Sequence, residues 1–172
     1  METKFNPYNT TGTVLFSRMR KFFLGKQTPD LFTRISCNIA LIYFFYIFLW
    51  ALTIFIAFNF GQNLPKAKNW NQLFLAIGTK YGISDIRFSF TLYLATLIAF
   101  SLFLFAGTLM VWRKKINGYL LVISSSLVCA IVSFLLLGID YVKNESSWFE
   151  FTFAGVVIVL FTIDYFLKKR LV

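Results

Sequence analysis

The chain has 172 residues, of which 58% are hydrophobic and only 14% charged, and its mean hydropathy is +0.71. An average soluble domain is about half apolar and about a quarter charged, so this balance excludes a disordered chain, a collagen-like repeat and an ordinary water-soluble enzyme, and predicts a membrane protein. The net charge of +10 would suggest nucleic acid in a soluble chain. In a chain this apolar it indicates loops that touch anionic lipid, and no nucleic-acid partner is expected.

Residues 1–35 form a basic amphipathic segment on this reading. Val14, Leu15, Met19, Phe22 and Phe23 can share one helical face. Arg18, Arg20 and Lys21 are the residues expected at the lipid surface. Thr28-Pro29-Asp30 reads as an N-cap, a proline at the first helical position and an acid in the first turn. Four stretches then meet the ~20-residue apolar requirement of a spanning helix, at about 36–60, 88–112, 116–139 and 148–167. None carries a lysine or arginine inside. Gly61 and Pro65 end the first. In the outer connection, 61–87, Trp70, Leu73, Phe74, Ile77 and Tyr81 recur at helical spacing, which predicts a short interfacial helix with Trp70 and Tyr81 in the headgroup layer. Arg113-Lys114-Lys115 leaves almost no loop, so the second and third spans are antiparallel neighbours. Ser147-Trp148-Phe149-Glu150 fits a capping box before the fourth.

The expected fold is therefore an all-α integral membrane protein. Its domain 36–172 is a four-transmembrane-helix bundle, preceded by the cytoplasmic segment 1–35. Lysine and arginine number twelve on the side of the termini and five on the other, so both termini are expected in the cytoplasm. The first apolar run begins late and is too long for a secretory signal, so it is expected to stay as a helix. A bacterial cytoplasmic membrane fits this pattern.

Catalytic and metal-binding chemistry finds little to use. Histidine is absent, and with it the commonest general base and metal ligand. The two cysteines, Cys37 and Cys129, form no metal-ligand spacing. They lie at different depths and are expected to be free thiols. Phosphate-cradling, nucleophile-elbow and dinucleotide motifs do not occur. No catalytic residue, cofactor or metal is expected.

What remains is packing and a few polar positions. Ser125, Cys129 and Ser133 recur every four residues, and Ala95, Ala99 and Gly107 suggest a comparable stripe; small residues let helix backbones approach in lipid. Asp164 is the only acid well inside a predicted span, near its cytoplasmic end, with Lys168 one turn on as its expected partner. Ser124 and Ser126, beside Ser125, complete the candidate polar set. Tyr43, Tyr46 and Trp50 share a face of the first span. These features favour a non-catalytic accessory or assembly subunit whose partners are anionic lipids and other integral membrane proteins. Two alternatives are an immunity-type protein that blocks a pore-forming toxin, and a small transporter or channel using Asp164 and the Ser124–Ser126 cluster.

Overall fold

The computed structural model describes residues 29–61, 65–83, 85–145 and 148–169. Among them there are six helices and no strand. These are α1 (Leu31–Phe60), α2 (Pro65–Lys80), α3 (Ile86–Trp112), α4 (Asn117–Leu137), α5 (Ile139–Glu145) and α6 (Trp148–Lys169). Four of them, α1, α3, α4 and α6, are long and apolar enough to cross a membrane. The 21 residues of α4 extend about 32 Å at helical rise, close to the ~30 Å hydrocarbon thickness of a bilayer.

The helix ends follow local chemistry. At the start of α1 the cap is Asp30, two residues after the expected Thr28. Its carboxylate accepts from the Thr33 backbone amide, 3.4 Å away, and from the Thr33 hydroxyl at 2.9 Å. A short carboxylate at this position satisfies an amide that the helix cannot. Thr28 itself lies outside the described residues, as do Arg18, Arg20, Lys21 and Ser147 of the expected caps and surface segment. The α2–α3 turn uses Gly82 in the left-handed region and Asp85 as the next cap, accepting from the Phe88 amide. The third apolar run divides at Gly138 (φ +83°), so its last residue, Ile139, opens the separate short helix α5.

The four long helices form a ring. α1 packs on α3 and α6, and α4 packs on the same two helices, whereas the diagonals α1–α4 and α3–α6 make no extensive contact among the described residues. The tightest seam is α3 against α4, because glycines face each other there. A Cβ at Gly107 would lie 3.0 Å from the Val122 backbone nitrogen, and one at Gly118 would lie 2.7 Å from the Val111 nitrogen. Neither position has room for even a methyl group.

The outside of the bundle is more apolar than that of a soluble domain, and polar side chains lie within a core built mainly of residues such as Phe44, Leu94, Leu104 and Phe161. Ser36, Ser101, Thr108, Ser125, Ser126, Ser133 and Asp164 are buried, while Ile42, Leu49, Phe88, Leu92, Leu135 and Phe166 are exposed. Leucine, isoleucine and phenylalanine are ordinarily the residues most often inside.

Candidate functional site

α1 and α4 begin at the end of the bundle where α3 and α6 finish, and this convergence builds a polar cluster. Asp164, on the last turns of α6, is 1% exposed. Its Oδ2 accepts from the Tyr119 hydroxyl of α4 at 3.0 Å. Its Oδ1 lies 3.1 Å from the Thr33 hydroxyl of α1. Tyr119 and Thr33 are themselves buried. One carboxyl group thus joins three helices.

The expected pair of Asp164 with Lys168 does not form. The Lys168 ammonium reaches instead across to the Asp30 carboxylate at the mouth of α1. The reason is solvation. Asp164 points into the bundle, where an ammonium would lose its water, whereas both members of the Asp30–Lys168 pair keep more than a third of their side-chain surface exposed. Burial pulls the Asp30 carboxyl upward, but the Lys168 ammonium and the Thr33 hydroxyl and amide outweigh it and hold the group at about 2, against an ordinary 3.8.

Thr33 is the joint between the two carboxyl groups. Its one hydroxyl proton faces Asp30 Oδ1 at 2.9 Å and Asp164 Oδ1 at 3.1 Å. A hydroxyl has a single proton to give and two lone pairs to receive. With both acids ionised, only one of these contacts is a hydrogen bond at a time. Chemically the cluster can fix the rotation of three helices against one another. Beside it is a cavity of about 400 Å³, lined by Asp30, Thr33, Lys114, Tyr119 and Lys168 together with Pro29, Val111 and Ile116. Lys114 enters this lining from the α3–α4 turn in a left-handed conformation, φ +60°. Among the described residues no group of three His, Cys, Asp or Glu side chains is arranged to hold a metal ion.

The other expected positions divide by which way they face. Ser125, Cys129 and Ser133 are buried inside the ring, and Gly107 lies in the α3–α4 seam. Ala95 and Ala99 face outward on α3, so they do not share a face with Gly107. Ser124 is exposed and donates to the Leu121 carbonyl of its own helix. Ser126 is buried, and its Oγ has no hydrogen-bond partner among the described residues. Both cysteines are buried free thiols. Of the α1 aromatic face, Tyr43 stacks against Phe153 of α6 at 6.1 Å, while Tyr46 and Trp50 line a groove on the outside. Trp70 lies in α2, and Tyr81 follows that helix with its ring edge-on to Tyr141 at 5.9 Å. At mid-bundle the void among Tyr43, Trp50, Tyr93, Cys129 and Ser133 is about 20 Å³, room for about one water.

Three residues with clear roles carry no sequence signal of their own. Thr33 and Tyr119 acquire theirs only by meeting Asp164. Asn59 acquires its role by accepting from the Thr91 hydroxyl of α3 at 3.1 Å, while its own amide donates to the Phe55 carbonyl.

The class defined by this architecture is an all-helical bundle with four helices able to span a membrane. Comparison with known proteins adds no relative: no family model, no curated protein and no solved structure matches the chain.

Proposed function

We propose that this chain is a non-catalytic integral membrane protein, an accessory or assembly subunit that receives a transmembrane helix of a larger complex on the outer face of α3. The large apolar side chains exposed around the bundle support its residence in a bilayer. The excess of lysine and arginine on the Asp30 side supports both termini being cytoplasmic, as in a bacterial inner membrane.

The observation that carries the subunit reading is the outward strip of α3. Ala95, Ala99 and Ala106 are all exposed and lie on one face at spacings of four and seven, with the exposed Leu102 between the last two. Small residues give a partner helix close backbone approach. The other small-residue stripe, Ser125, Cys129 and Ser133, is already used inside the ring. The same geometry gives less support to a transport role: the mid-bundle void is about 20 Å³, and Asp164 has its two carboxyl oxygens occupied by neighbouring helices.

The test is a gentle-detergent pulldown from native membranes, read by mass spectrometry, of the wild type, of Ala95→Phe/Ala99→Phe, and of Val156→Phe on the outer face of α6 as control. Co-purification of membrane partners at fixed stoichiometry is expected, falling at least tenfold in the α3 variant and unchanged in the control. A lone wild-type protein, or partners retained by the α3 variant, would sink the reading.

A further inference from the structure

We propose that the cavity at the Asp30 end binds one phosphodiester group, presented by the headgroup of a membrane phospholipid; the lipid source rests on the bilayer residence proposed above. The cavity has a volume of about 400 Å³, within the ~300–1,000 Å³ of small-molecule sites. Two ammonium groups and one carboxylate line it, those of Lys114, Lys168 and Asp30. Lys168 and Asp30 are paired, whereas Lys114 makes no ion pair among the described residues. The lining therefore holds one uncompensated positive charge. That matches the single negative charge of a phosphate diester rather than the nearly double charge of a monoester. An ammonium has three protons to donate, so Lys168 can bond Asp30 and still have protons for a ligand oxygen.

Backbone preference does not explain a lysine at position 114. Its amide donates to the Val111 carbonyl at 2.8 Å, and the Lys115 amide donates to the Met110 carbonyl at 2.9 Å. This pair of bonds ends a helix on a left-handed residue, which is usually glycine because a Cβ is crowded there. The chain carries a lysine at φ +60° instead, and its side chain enters the cavity lining. α4 adds positive potential. Ile116, directly before it, lines the cavity, and the start of α4 has neither a side-chain cap nor an acid in its first turn, so the positive end of its dipole is not neutralised there. Pro29, Val111 and Ile116 give the cavity an apolar wall, which suits the glycerol carbons beside a lipid phosphate. The 21 residues of α4 match the hydrocarbon thickness, so its start, and the cavity with it, lies at the depth of the headgroups.

The experiment titrates the full chain in nonionic detergent with phosphatidylglycerol, and with diacylglycerol of the same acyl chains, read by native mass spectrometry. One phosphatidylglycerol per chain is expected, bound at least about fivefold tighter than diacylglycerol, the upper value of an exposed ion pair. Lys114→Gly should lose about that factor while unfolding in detergent no more easily than the wild type, because it relieves the left-handed residue. Lys114→Arg keeps the charge, and Lys115→Gln removes a neighbouring charge outside the lining; each should change binding by less than about twofold. Equal binding of the two lipids, or equal losses in the Lys114→Gly and Lys115→Gln chains, overturns the proposal. So does a Lys114→Gly chain less stable than the wild type, since the lysine would then serve the fold. Soluble glycerophosphoglycerol, the same diester without acyl chains, tests the source: it should displace the lipid only in large excess, and displacement at equal concentration overturns the lipid source. Alkaline carbonate extraction of native membranes separates the two readings. A released chain defeats bilayer residence and the lipid source together, whereas a retained chain that binds the two lipids equally defeats this proposal alone.

Discussion

Truncating Asp164 to alanine should be the most damaging single change at the Asp30 end, and the structure sets both its size and its rivals. Asp164→Ala leaves the Tyr119 hydroxyl without the acceptor that it meets at 3.0 Å and removes one of the two contacts of Thr33. An unpaired buried polar group costs about 1–3 kcal/mol, although hydrogen bonds between membrane helices average only ~0.6 and reach ~1.7 kcal/mol. Asp164→Ala removes two such contacts at once, each from a group that is itself buried, which together gives about 2–3 kcal/mol. Tyr119→Phe removes one donor and should cost about 1–2 kcal/mol. Asp164→Asn keeps the shape, accepts from Tyr119 through its oxygen and donates to Thr33 through its nitrogen, and should cost under ~1 kcal/mol. The assay is reversible unfolding by sodium dodecyl sulfate in mixed micelles, followed by tryptophan fluorescence. An amide variant as unstable as the alanine variant would refute the reasoning, because negative charge rather than pairing would then be the stabilising property. So would a Tyr119→Phe protein indistinguishable from wild type.

Gly107→Ala and Gly118→Ala should each destabilise by about 1–3 kcal/mol, since the added carbon meets backbone atoms that have no freedom to move; Gly155→Ala, where nothing lies within 4 Å, should be neutral or stabilising by about 0.5–1 kcal/mol in the same unfolding assay. Because Asp30 titrates at about 2 in the folded chain and near 3.8 when freed, its contribution to stability is fully present above about pH 4 and is lost as the pH falls through about 2. An acid titration of stability should show that loss in the wild type and a smaller one in Lys168→Met, and identical profiles would contradict the assignment.

The four long helices are legible in the sequence because spanning a bilayer demands some twenty apolar residues, a requirement that needs no knowledge of neighbours. Their ends were less legible. Two residues on either side of Pro29, Thr28 and Asp30, are both good caps, and only the position of Thr33 beneath the carboxylate favours Asp30. Asp164 stands out by being an acid in an apolar run, yet its partners do not. Which hydroxyls it meets depends on helix order around the ring and on each helix's rotation, and residues 131 positions apart share no local pattern. The Lys168 pairing fails for a related reason: spacing along one helix places two side chains near each other but does not weigh the loss of water by an ammonium against a solvated partner elsewhere. Gly118 was likewise silent, because a glycine in an apolar helix shows its purpose only against the backbone it touches.

The threonine–aspartate contact also fixes a timetable for biogenesis. Thr33 leaves the ribosome 131 residues before Asp164, an interval of roughly 7–26 seconds at ordinary elongation rates. By the end of that time the first three spanning helices are made, while the hydroxyls of Thr33 and Tyr119 still await the carboxyl group that will join them. The nascent bundle therefore carries a temporary polar seam on the flank that α6 will later occupy. It is by this uncovered seam, absent from the finished ring, that an insertion factor or quality-control protease in the membrane can tell the half-built intermediate apart.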